Sequence, residues 1–297
     1  MHILFVTSNR LGDAVLSTGL LDHLIRTHPD ARITIACGPA AAGVFARMPN
    51  HERTIVLDKR PYSLHWLPFW ASAATTLWDL VVDIRGSALA WMVPTRRRAV
   101  MRRRPGHKTA QLAAVLNLDP PPLPVAWTAA EDRAHAAALL PSGRPIVGLG
   151  PTANWAPKIW PAERYAALFH ALRAGPLPDA IPAVFAGSGA EEHAMATPLL
   201  AALPDAIDLV GQLSLPEAAA CLARCALFIG NDSGLMHLAA SAGTPTLGLF
   251  GPTQAAEYAP AGRAARVVMS SSSRMTDLSV DAALAAASRL LVAAEAA

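Results

Sequence analysis

The sequence predicts an α/β protein made of two doubly wound, parallel-sheet halves. Short β-type runs alternate with amphipathic helical patterns, which is how βαβ units read in sequence. The alternation stops at the proline-rich stretch DPPPLPVAW, from Asp119, and restarts after PSGRP. At 297 residues, 53% of them hydrophobic, the chain is long enough for two cores.

The first half opens on a strand-like run at residues 3–7 and a helical pattern at 14–27. Further strands are expected at 33–36, 54–57 and 80–84. The prolines after Asp119 cannot continue a helix. A polar helical piece follows at 129–140, so the boundary is expected near Ser142 and the first domain spans 1–142.

In the second half strands are expected at 145–149, 183–186, 208–210, 227–229 and 246–249, with helices at 161–173, 191–203, 215–224 and 234–242. That gives a second domain at 143–279 and a last helix within 280–297. Two such halves commonly bind a ligand in the cleft between them. No tandem repeat is present.

No stretch of eighteen apolar residues and no signal-peptide pattern occurs, so a cytoplasmic protein is expected. Cys37, Cys221 and Cys225 form no disulfide framework and are expected as buried thiols. Residues 1–142 hold 16 Lys and Arg against 10 Asp and Glu, and the rest 9 against 12. A basic first half suits an anionic partner.

The loops narrow the chemistry. SNRLGDA, after the first strand, lacks the spaced glycine trio of a dinucleotide-binding turn, and no Walker loop occurs. Asp13 stands where that strand hands over to a helix, as a helix cap or as a chemical group. FIGNDSGLMHLA, from Phe228, places Asp232, Ser233 and Gly234 at a helix start, a ready anion site or a plain capping turn. Leu235 and His237 follow on that helix. In GPTANWAPKIWP, Thr152 and Asn154 can donate to phosphate oxygens and Lys158 supplies a cation. In AGSGAEEH, Glu191 or Glu192 can accept from ribose hydroxyls or simply favour the helix start. No Asp-x-Asp pair and no zinc-type spacing occurs, so no metal is expected.

Together these loops resemble glycosyltransferase family 9, the lipopolysaccharide heptosyltransferases. The resemblance rests on RLGDAVLSTGLL, DLVVDIRG, KIWPAERYAAL, the stretch at 209–253 and the final TDLSVDAALAAASRLL. It implies a GT-B fold whose last helix crosses back to the first domain. It further implies an inverting, metal-independent transfer from a nucleotide-diphosphate sugar, typically ADP-heptose, with no cofactor. The acceptor would be a hydroxyl of anionic inner-core lipopolysaccharide, reached from the inner face of the inner membrane. By position, Asp13 matches the general base, Lys158 the phosphate-binding lysine, and Asp232 to His237 the donor-binding turn. Glu191 or Glu192 matches the ribose contact, and Leu213 falls where an apolar residue touches the adenine.

TRRRAVMRRR, from Thr95, packs six arginines into nine positions. It reads as a solvated face, helix or loop, or as an anion-binding surface at a membrane. Arg10, Arg85, Arg102, Arg103, Arg104 and Lys108 are the expected acceptor contacts. The tryptophan-rich segment 61–78 reads as core or as membrane interface. No aromatic-basic module for nucleic acid is present. The rival functions are a transferase with another nucleotide sugar, a nucleotide-sugar epimerase and a non-catalytic nucleotide-sugar binder.

Overall fold

The computed structural model describes residues 1–58, 66–102 and 104–295. The chain forms two compact units, Met1–Trp127 and Thr128–Ala297. The division falls earlier than Ser142 because the helix at Ala130–Leu139 packs on the helix at Leu215–Leu222 of the second unit.

The first unit runs β1 (His2–Val6), α1 (Leu11–Thr27), β2 (Arg32–Cys37), α2 (Pro39–Ala42), β3 (His51–Val56), α3 (Trp66–Ala74), β4 (Leu80–Asp83), β5 (Arg98–Val100) and α4 (Lys108–Ala113). Its strands form a parallel sheet in the order β3-β2-β1-β4-β5. Ile3 to Val6 are fully buried, as expected of a strand covered on both faces. The strand order reverses between β1 and β4. The crevice beyond their carboxyl ends is where open α/β sheets bind ligands. The start of α1, which holds Asp13, and the loop holding Arg85 leave the sheet at this edge. β5 lies inside the arginine run, where the charge pattern predicts a helix or loop. Pairing with β4 overrides that pattern.

The second unit runs α5 (Ala130–Leu139), β6 (Ile146–Gly150), α6 (Ala162–Ala174), β7 (Ile181–Val184), α7 (Ala190–Ala202), β8 (Ile207–Asp208), α8 (Leu215–Leu222), β9 (Leu227–Asn231), α9 (Gly234–Ser241), β10 (Thr246–Phe250), α10 (Ala255–Tyr258), β11 (Ala265–Met269) and α11 (Val280–Glu295). The sheet is again parallel, in the order β11-β10-β9-β6-β7-β8. Here the order reverses between β6 and β9, so the loops carrying Lys158 and Asp232 are neighbours. α11 packs on α6, β10 and β11 through Ala283, Ala286, Ala287 and Leu290.

The three cysteines are free and buried, as expected. Burial pushes the Cys37 thiol up to about 12 and the Cys221 thiol up to about 11, and raises that of Cys225 as well. Thiols held protonated in this way are unreactive.

In α1, a Cβ added at Gly19 would lie 2.7 Å from the carbonyl oxygen of Pro122 and 2.8 Å from that of Leu123. The same loop is tied to the helix by the Val125 N–H, which donates to Thr18 Oγ1 at 2.9 Å. An exposed helical Gly→Ala change ordinarily stabilises by about 1 kcal/mol. At Gly19 the sign should reverse. Gly19→Ala is expected to destabilise by about 1–3 kcal/mol in urea unfolding, because rigid backbone must move.

Candidate active site

In the first unit, Asp13 is the third residue of α1, and the helix is entered from Arg10 without any side-chain cap. The capping alternative for Asp13 is therefore not what the structure shows. Its Oδ2 accepts from Ser8 Oγ at 3.3 Å, and Ser8 Oγ accepts from the Arg10 N–H at 3.1 Å. Its Oδ1 is buried and has no hydrogen-bond partner. A carboxylate oxygen in that state is costly to keep and is poised to accept a proton or a hydrogen bond.

Arg85 sits two residues beyond the end of β4 and reaches Asn9 Oδ1 at 3.3 Å, which brings it beside the β1–α1 loop. The turn holding it is built by the fully buried Asp83. Asp83 accepts from the Arg85 N–H at 2.8 Å, the Ser87 N–H at 2.9 Å and Ser87 Oγ at 2.6 Å. Arg10 and Arg85 are both exposed.

The rest of the arginine run divides. Arg96 pairs with Asp79, and Arg98 donates to the carbonyls of Ala90 and Val93. Arg102 and Arg104 line a hollow of about 130 Å³ with Val100, Gln111, Ala114 and Val115. Lys108 opens α4, which His107 caps by accepting from the Thr109 N–H. Arg103 lies outside the described residues, as do 61–65 of the tryptophan-rich segment. Of the rest of that segment, Phe69 and Trp78 are core and Trp70 is exposed.

The second unit builds its site around Asn231, the last residue of β9. Its side chain is fully buried. Oδ1 accepts from the Trp160 N–H and the Tyr165 hydroxyl, each at 3.0 Å, and Nδ2 donates to the Pro151 carbonyl at 2.9 Å. Burial raises the Tyr165 hydroxyl well above its ordinary range, so it stays a proton donor. Asn231 thus clamps both ends of the 151–160 loop against the sheet.

Lys158 comes from that loop. Its Nζ donates to Asp232 Oδ2 at 2.8 Å, in a pair whose side chains are largely buried. Asp232 therefore does not show a bare carboxylate to an anion; it aims the ammonium. Ser233 is the N-cap position of α9 but makes no capping bond, and its Oγ is buried and unpartnered. The capping-turn alternative fails here too. Thr253 Oγ1, beyond neighbouring β10, is likewise buried and unpartnered. Gly234 opens the helix, Leu235 is half-buried, and His237 is buried one turn further on. Thr152 is buried and Asn154 exposed.

Glu191 and Glu192 start α7. Glu191 is exposed, whereas the carboxylate of Glu192 folds over Gly187, where a Cβ would collide with it. Leu213 is half-buried just before α8. Sequence reasoning misses Asn231, Tyr165, Trp160, Asp83 and Thr253. The GND tripeptide at 230–232 is the available signal for Asn231. Among the described residues, no group of three or more His, Cys, Asp or Glu lies together as a metal site.

Residues 90–286 match glycosyltransferase family 9 (heptosyltransferase). The chain is 25% identical to lipooligosaccharide heptosyltransferase 2 of Haemophilus influenzae, over 88% of this chain and 86% of the relative. Its fold matches a family 9 glycosyl transferase from Veillonella parvula with a TM-score of 0.84 at 23% identity, covering 98% of this chain and 97% of that one. It matches E. coli heptosyltransferase WaaC with ADP with a TM-score of 0.74 at 19% identity, covering 95% and 98%. The expected GT-B fold is thus shown.

The Asn231 clamp can be tested by unfolding. Asn231→Ala strands the Trp160 N–H and the Pro151 carbonyl in the interior and should cost about 3 kcal/mol. Tyr165→Phe removes one hydroxyl while leaving Asn231 its other bonds, and should cost about 1 kcal/mol. Urea denaturation of both variants checks the order.

Proposed function

The chain belongs to glycosyltransferase family 9, and from that premise we propose that it moves a heptose from ADP-heptose to a hydroxyl of an inner-core lipopolysaccharide acceptor, with inversion and without a metal. It is a glycosyltransferase of the heptosyltransferase family. The donor reading is supported by the ADP held by the WaaC structure. One observation carries it in this chain. The Lys158 ammonium is fixed by Asp232 beside the N-terminus of α9, with the unpartnered Ser233 hydroxyl at the same turn.

The chemistry follows from the residues. The acceptor oxygen attacks the anomeric carbon of the donor sugar as the bond from that carbon to the diphosphate breaks. The diphosphate leaves with the bonding electron pair. Lys158 and the positive end of α9 stabilise the charge it gains. Ser233 and Thr152 supply hydroxyl contacts at the donor, Glu192 takes the ribose hydroxyls, and Leu213 packs on the base. Asp13 accepts the proton lost by the attacking hydroxyl, and a single displacement inverts the anomeric centre. The orphaned Oδ1 supports this role for Asp13. Arg10, Arg85, Arg102 and Arg104 meet the carboxylates and phosphates of the acceptor, which is drawn from the inner face of the inner membrane.

Two variants and one additive test the scheme. Asp13→Asn keeps shape but cannot take a proton, so kcat should fall by about 10²-fold or more while the melting temperature and ADP binding hold. Near-normal turnover would place the base elsewhere. Lys158→Ala should weaken ADP binding and transfer together. It leaves Asp232 unpaired, so its stability must be measured alongside. Transfer should persist in excess EDTA; activity lost to chelator and restored by magnesium would overturn the metal-free scheme.

A further inference from the structure

α3 carries no charged residue, although two of its side chains, Leu67 and Trp70, are exposed. Its inner side is core, with Phe69 and Ala73 buried. Its outer side is apolar as well: Leu67 is 62% exposed and Trp70, one turn on, is 42% exposed. A helix that is apolar all round is ordinarily covered on both sides.

The apolar surface continues beyond the helix. Trp70 Nε1 donates to the Met92 carbonyl at 2.9 Å, which joins α3 to the turn at 91–92. Trp91 is 67% exposed there and Met92 58%. Exposed single hydrophobics need no explanation, but four exposed apolar side chains, two of them indoles, on two segments tied by that bond do.

Cations rim this patch. Arg53 donates to the Ser72 carbonyl and so lies against α3. The Arg98 guanidinium sits 5.4 Å from the Trp91 ring centroid. Arg97 is exposed beside it. The first unit as a whole is basic, with 15 Lys and Arg against 8 Asp and Glu in residues 1–127.

We propose that Leu67, Trp70, Trp91 and Met92 form a docking face that inserts shallowly into an anionic phospholipid surface. Indoles settle at the level of lipid headgroups because one edge is polar and the body is apolar. Arg97, exposed, and the remaining donors of Arg53 pair with lipid phosphates, each adding to surface attraction that salt screens, while Arg98 holds the Trp91 ring in place. No helix among the described residues is long and apolar enough to cross a membrane, and a contact through four side chains and a basic rim is peripheral. The proposal deepens the glycolipid reading above by naming the face that meets the lipid. It rests on that reading for its purpose but not for its test.

The test is flotation with vesicles of phosphatidylethanolamine and phosphatidylglycerol, with phosphatidylcholine as the neutral control. The wild-type chain should float with the anionic vesicles and release as salt rises. The triple variant Leu67→Gln, Trp91→Gln, Met92→Gln should bind at least about ten-fold more weakly, since affinity scales with inserted apolar area. Its turnover on a soluble, deacylated acceptor should match wild type. That assay reads the transfer function separately, so failure of one leaves the other measurable. As a variant-independent check, lipids brominated near the headgroup should quench part of the tryptophan emission, and Trp91→Phe should lose part of that quenching. No flotation of wild type, equal flotation of the triple variant, or quenching indifferent to Trp91→Phe would each overturn the proposal. So would a wild-type dimer in sedimentation that the triple variant abolishes, because the face would then belong to a second copy.

Discussion

The second unit's site depends on one buried amide. Asn231 ends β9 and spends its donor and its acceptor on both ends of the 151–160 loop. A loop of that length would otherwise hold its lysine only loosely. Clamped, it delivers the Lys158 ammonium to Asp232 in the next turn. The full burial of Asn231 makes each bond matter, because an unmet partner there has no water to turn to.

The first unit solves a similar problem with a carboxylate. Asp83 ends β4 and spends its two oxygens on the turn that presents Arg85. Both holding groups end strands that flank a reversal of strand order. Parallel sheets leave a crevice at such reversals, since successive crossovers run to opposite faces. Arg85 and Lys158 therefore stand on short connections supported from below by buried polar groups, and their preorganisation follows from that support.

The arginine run shows how little a charge pattern says by itself. Arg96 and Arg98 are spent on Asp79 and on backbone carbonyls, inside or beside an edge strand. Arg102 and Arg104 instead line a hollow of about 130 Å³. The tryptophans divide in the same way: Trp78 and Trp160 are core, while Trp70 and Trp91 face outward. Identical side chains acquire opposite roles from the strand or turn that carries them.

Sequence alone determined the fold class, since strands buried on both faces leave continuous apolar runs such as ILFV, and helices between them leave a 3.6-residue period. Most element positions follow from this, as do the loops bearing Asp13, Lys158 and Asp232, because a chemical group at a strand–helix junction stands out against that pattern. β5 and β11 were not legible: an arginine-rich strand and a half-exposed edge strand carry no such continuous apolar run. The boundary at Trp127 was not legible either, because α5 joins the second unit only through its packing on α8. Tertiary structure alone decided that Asp13 and Ser233 do not cap their helices, that Glu192 rather than Glu191 folds over its loop, and that Asn231 is the clamp. Those outcomes hang on where a side chain's partners lie, and the partners of Asn231 come from 66 to 80 residues away in the chain. A local pattern cannot report a contact whose other half is set by the folding of the whole sheet.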